Sequence, residues 1–209
     1  MATTKRDPAG TQQRILNAAL LEFAREGFDG ARVDEIARRA RINKRMLYHY
    51  FGNKEDLYRE IFRRKVAAKT QVTQENPATL ADALAYWYDQ ESADTSWIRL
   101  LTLDALGAGP PGIISDVERR QPFAAFKEWL SSAQAGGDLA RLDPEHLMLA
   151  LIALDMFPIA FPQLARAITG RSPTDAQFKE RHKAFLRKLA NQLEGQPAGA
   201  RRRRAKGPR

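Results

Sequence analysis

The chain has 209 residues, no cysteine and a formal net charge of +9. Its length admits one domain or two small ones around a sizeable core, and the missing cysteine excludes disulfides and thiolate chemistry. The charge is uneven: residues 1–70 hold 16 Lys and Arg against 9 Asp and Glu, residues 71–196 hold 12 against 16, and the last thirteen hold six against none. A basic head and tail around an acidic middle suits a polyanion that meets the ends. Nothing near the start reads as a signal peptide. The longest apolar run, 147–161, is broken by Asp155 and Pro158 and is too short to span a bilayer. A soluble, cytoplasmic protein with no membrane partner is expected.

Helical periodicity dominates, with neither strand alternation nor an internal repeat. Ile15, Leu16, Ala19, Leu20 and Phe23 form an apolar stripe that Gly27 ends. Val33, Ile36, Ala37 and Ala40 make a shorter one, with Asp34 and Glu35 in the first turn, where acids suit the helix dipole. Asn43 caps a third helix of about two turns that Gly52 stops. Asn53 caps a fourth, with Leu57, Ile61, Phe62 and Val66 on one side and Asn76–Pro77 as its outer limit. Two helices are expected over 79–106, meeting near Ser92–Thr95, then a break at "GAGPPG" and a helix over 113–135 ended by Gly136–Gly137. Asp143, Pro144 and Glu145 open a helix that runs to Pro158, which with Pro162 kinks or stops it. The last helix, about 174–193, carries Phe178, His182, Phe185, Leu186, Leu189 and Leu193 on one stripe, and a basic, Gly/Pro-rich tail is expected to be disordered. The fold class is all-α.

The second and third helices, joined by Arg41, Ile42 and Asn43, match a helix-turn-helix, whose second helix enters the major groove of DNA. By spacing, Leu47, Tyr50 and Phe51 should pack inward against Phe23, Ile36 and Phe62. Lys44, Arg45, Tyr48 and His49 then face outward. Lys44 and Lys54 lie in first turns, where a cation opposes the dipole, and a phosphate held there would reverse that cost.

Residues 15–62, "ILNAALLEFAREGFDGARVDEIARRARINKRMLYHYFGNKEDLYREIF", resemble the DNA-binding domain of the TetR/AcrR family of bacterial transcriptional regulators, and "LYHYFGNKEDLY" carries the likeness most specifically. Where the family often has Gly-Thr, Arg45 and Met46 stand here. The resemblance implies an N-terminal three-helix helix-turn-helix domain joined to a larger C-terminal ligand-binding and dimerisation bundle. The divisions expected are an arm at 1–10, a DNA-binding domain at 11–76, a ligand and dimer domain at 77–195 and a basic tail at 196–209. It further implies a homodimeric repressor, nucleoid-associated when bound, that a small-molecule inducer releases from a palindromic operator. The alternative is an inducer-independent architectural or cell-division factor on the same fold.

On those positions, Arg45 is expected to read guanine, whose O6 and N7 match a guanidinium. Tyr48 should meet a phosphate or a thymine methyl, His49 the DNA backbone, and Lys44, Lys54 and Arg32 phosphates. The larger domain shows no catalytic constellation, no metal-ligand spacing around His49, His146 or His182 and no need of a cofactor, so no enzyme is expected. As the family resemblance suggests, Trp87, Trp97 and Trp129, with Phe123, Phe126 and Phe157, either line a small-molecule pocket or pack the bundle. Asp104 and Asp155 share faces with apolar residues, and each is answered by another side chain or by a polar or cationic group of an inducer. Residues 145–157 and 174–193 are the expected dimer helices.

Overall fold

The computed structural model describes residues 7–74, 79–110, 112, 114, 116–133, 139 and 142–194. The basic tail, residues 1–6 of the arm and the stops at Asn76–Pro77 and Gly136–Gly137 lie outside them. The described residues form ten α-helices and no strand: α1 Pro8–Gly30, α2 Val33–Ala40, α3 Lys44–Phe51, α4 Lys54–Gln74, α5 Leu80–Ala93, α6 Thr95–Leu103, α7 Asp116–Ala133, α8 Pro144–Ala160, α9 Pro162–Thr169 and α10 Ala176–Glu194. A single π-helical turn, Asp104–Ala108, closes α6. Two compact units result, one of residues 1–68 and 96–120, the other of 69–95 and 121–209. Residues 96–120 thus group with the N-terminal helices although they follow them by a wide interval in the chain.

In the first unit, α1 starts earlier than the apolar stripe indicates, inside the stretch expected to be an arm. Asp7 accepts the Gly10 N–H at 3.0 Å, and Pro8 takes the first helical position, where its missing N–H costs nothing. Gly27 (φ 71°, ψ 179°) breaks the helical path before its last turn. The break lays Phe28 against Phe23 (5.8 Å between ring centres) and Tyr58 (5.5 Å), and Tyr58 meets Phe23 edge-on at 5.2 Å. These three rings lock α1 to α4. Trp97 of α6 packs edge-on against Phe62 at 5.4 Å.

In the second unit, α10 lies along α5, and α8 packs on both α5 and α9. Their core holds Leu80, Leu84, Tyr88, Leu130, Leu151 and Leu186. Asp143 caps α8 as expected, accepting the N–H groups of Glu145 and His146 at 3.0 and 2.9 Å. Pro158 does not stop that helix, which continues to Ala160 and breaks before Pro162, where α9 leaves at 89°. A proline near the end of a helix forfeits one bond only, and the second proline makes the turn. On α10, Phe178 and Leu186 are buried, but Phe185 is 51% exposed and leaves the predicted stripe.

At Gly27 the backbone lies in a region that only glycine enters without strain. Gly27→Ala is expected to destabilise the protein by about 1–3 kcal/mol, read from the midpoint of a urea unfolding curve.

Candidate nucleic-acid interface

The surface around α3 is built from α1 upward. Helix α2 has eight residues, and α1 holds it at both ends. At its start, Glu22 Oε1 accepts the Arg32 N–H at 3.5 Å; at its end, Arg14 Nε donates to the Ala40 carbonyl at 3.4 Å. A carboxylate at the N-terminus and a guanidinium at the C-terminus both match the helix dipole. Glu22 is only 2% exposed, and Arg25 (3.1 Å) and Arg39 (3.8 Å) neutralise it. Periodicity alone does not single out this residue, although an acid beside Phe23, amid an apolar stripe, signals a buried charge that must be paired.

The turn is the predicted one. The Ile42 N–H reaches back to the Ala37 carbonyl (3.0 Å) and the Arg41 N–H to that of Arg38 (3.2 Å), a Schellman closure. Its left-handed residue is Arg41 (φ 58°, ψ 48°), where glycine is usual. The Asn43 side chain then accepts the Met46 N–H at 2.8 Å to start α3, and Gly52 (φ 76°) ends it. Asn53 repeats the device for α4, accepting the Asp56 N–H at 2.6 Å.

Of α3 only Leu47 is fully buried. Lys44, Arg45, Tyr48 and His49 are exposed, as their spacing predicted. Tyr50 and Phe51 are half-buried, not core. Tyr50 stands edge-on to His49 at 5.5 Å and tilted to Phe51 at 6.4 Å. A helix of only two turns buries a narrow line of side chains, and these two rings flank that line.

Both lysines at helix starts have partners within the protein. Lys44 Nζ bonds Asp34 Oδ2 at 3.1 Å, and this carboxylate raises the Lys44 pKa. Lys54 Nζ reaches the Asp29 carbonyl at 3.4 Å and sits 4.7 Å over the Phe28 ring. The Lys54 cation thus opposes the dipole of α4 but complements the C-terminal end of α1. On α2, Glu35 chelates Arg38 (2.6 Å) and Arg39 (2.9 Å), and these hydrogen bonds hold its carboxyl at about 2. Arg32, Arg41 and Arg45 carry no ion pair among the described residues.

The residues expected to meet an inducer fall in both units. In the first, Trp97 is buried, and Asp104 accepts a hydrogen bond from the Tyr58 hydroxyl at 3.3 Å. In the second, Trp87 stands 5.4 Å from Trp129 and 4.5 Å from Phe126, a closed aromatic cluster, and Asp155 is 4% exposed. Tyr88, which nothing in the sequence pattern distinguishes, is buried with no hydrogen-bond partner for its hydroxyl among the described residues. Burial, then the charges of Asp155 and Asp89, push its pKa up to about 12.

Residues 15–61 match the model of the bacterial regulatory proteins of the tetR family. The HTH-type transcriptional repressor SCO4008 of Streptomyces coelicolor is 30% identical over 166 residues, covering 79% of this chain and 86% of its own. The chain belongs to the tetR family. The HTH-type transcriptional regulator RutR of Escherichia coli K12 is likewise 30% identical, over 84% of this chain and 87% of its own. The solved structure of the putative transcriptional regulator SCO4942 of S. coelicolor superposes with a TM-score of 0.72 at 29% identity, covering 90% of this chain and 99% of that one. This tetR-family protein is a DNA-binding transcriptional regulator and not an enzyme.

Because α3 is too short to persist alone, its cap carries weight out of proportion to one bond. Asn43→Ala is expected to lower stability by about 1 kcal/mol, read by thermal unfolding.

Proposed function

We propose that this tetR-family regulator is a cytoplasmic repressor that binds a palindromic operator as a homodimer and leaves it when a small molecule enters the domain of residues 77–195. The observation that supports the DNA-reading part is the division of α3 around Leu47, which leaves Arg45 exposed and without an ion pair among the described residues, at the head of the third helix. A free guanidinium there suits bidentate bonding to guanine O6 and N7. Tyr48 takes a phosphate or a thymine methyl, His49 and Arg32 the sugar-phosphate backbone, and Lys44 and Lys54 phosphates, once those exchange their internal partners. Phosphate contacts set affinity and register, while Arg45 carries sequence information.

The dimer reading is supported by α8 and α10. His182 Nε2 lies 3.2 Å from the Leu154 carbonyl and joins the two helices. Leu149, Ala150, Ala153 and Phe157 make an exposed stripe down α8, and Phe185 is exposed on α10. Two such helices from each subunit form a self-complementary four-helix face. For the inducer, buried Asp155 and the Tyr88 hydroxyl, which has no hydrogen-bond partner among the described residues, supply polar anchors in the second unit, where Trp87 and Trp129 pack against the same core. The closed packing of Trp87, Phe126 and Trp129 favours the second reading, an architectural factor on the same fold with no inducer. Release of operator DNA by a metabolite decides between the two.

Selecting bound fragments from genomic DNA gives the operator. On it, Arg45→Ala is expected to weaken binding by about 1–3 kcal/mol and relax preference at one base pair per half-site; an undiminished preference would refute the assignment. Leu149, 62% exposed, tests the dimer. Leu149→Glu is expected to shift sedimentation from dimer to monomer, and a monomeric wild type would remove the reading.

A further inference from the structure

The ion pair between Asp34 and Lys44 joins the first turns of the two helices of the helix-turn-helix. Asp34 lies one residue into α2, Lys44 opens α3, and Oδ2 and Nζ stand 3.1 Å apart. Both side chains face solvent, Asp34 at 75% and Lys44 at 48% exposure. The pair therefore contributes little to holding the fold, since exposed pairs of this kind are weak. Its chemistry is nevertheless that of a phosphate contact: an oxyanion held by a lysine ammonium at the N-terminus of a recognition helix. The Lys44 charge opposes the dipole of α3, and the only anion the described residues bring to it is this carboxylate. Asp34 makes no second ion pair or hydrogen bond among the described residues to occupy it otherwise.

We propose that Asp34 is an internal competitor for the DNA phosphate that Lys44 contacts, and so sets how strongly this regulator grips any DNA. The proposal rests on the DNA-binding role of α3. A lysine that is free in solution releases a condensed counterion when it meets a phosphate, which drives association. Here Lys44 must first leave Asp34, and the carboxylate then stands beside a polyanion and draws a cation to itself. One phosphate contact is thereby nearly cancelled. Binding to DNA of arbitrary sequence, where phosphates supply essentially all of the affinity, is held low, and the protein is less diluted over non-cognate sites. Asp34 thus acts through Lys44 as a positioning residue and touches no base.

The test is a double-mutant cycle on the full chain: wild type, Asp34→Asn, Lys44→Ala and the double variant. Each is titrated by fluorescence anisotropy onto the selected operator and onto a random-sequence duplex across a series of KCl concentrations. Asp34→Asn is expected to tighten both complexes about two- to five-fold and to steepen the slope of log K against log salt by up to about 1. In the Lys44→Ala background most of that gain disappears, while every variant stays folded with at most the small fall in melting temperature that losing a first-turn acid entails. An equal gain in both backgrounds would make Asp34 a general repulsive charge and overturn the proposal. So would a loss confined to the operator, which would make Asp34 a base-reading residue, and so would no change at all. Wild-type binding on the same duplexes reports the DNA-binding role itself, so a failure there is separate from a failure of the Asp34 effect.

Discussion

Everything the reading head does depends on how α1 grips α2. Glu22 and Arg14 stand eight positions apart on α1, about 12 Å along its axis, which is also the length of the eight-residue α2. Their opposite charges therefore fall on opposite ends of an antiparallel neighbour, each on the end whose dipole it complements. Neither α2 nor α3 is long enough to persist as an isolated helix. Once α2 is fixed, the Arg41 turn, the Asn43 cap and the buried Leu47 leave α3 one direction to run. The orientation of the DNA-facing side chains is thus a consequence of one buried carboxylate and one guanidinium in a helix that carries none of them.

The electrostatics of this unit differ from what its composition suggests. Residues 1–70 carry 16 Lys and Arg, and many of these are held in ion pairs within the protein. Glu22 and Glu35 neutralise Arg25, Arg38 and Arg39; Asp56 holds Arg59; Glu60 bridges Arg63 and Arg64; Asp34 holds Lys44. Among the described residues, Arg32, Arg41 and Arg45 are exposed with neither an ion pair nor a side-chain hydrogen bond. Pairing thus helps to decide which cations are left for a polyanion to meet.

Local signals in the sequence reached far. The helix-turn-helix, the turn over residues 41–43, the caps at Asn43, Asn53 and Asp143, and the outward set of α3 were all legible, because each depends on spacing or on a residue's own backbone preference. Partners separated by ten or more residues were not. The Asp29 carbonyl beneath Lys54, Asp34 beside Lys44 and Tyr58 beneath Asp104 are set by how helices cross, which periodicity does not encode. The same limit explains Tyr50 and Phe51, expected inward from their angle on the helical wheel: the wheel gives direction but not the width of the neighbour that covers it. Pro158 misled in another way, since a helix already near its end tolerates a proline that would break its middle.

The left-handed Arg41 has a further consequence for how such a head can change over time. A side chain in that conformation carries a standing strain of roughly 1 kcal/mol that a glycine would relieve. Most substitutions in a small domain lose stability; here glycine, the usual residue at such a helix end, gains it and surrenders a charge. The turn is therefore a reserve: a lineage that accumulates harmful changes elsewhere in the head can recover its footing at this one position without disturbing a packed residue. A chain with arginine there keeps that reserve whole.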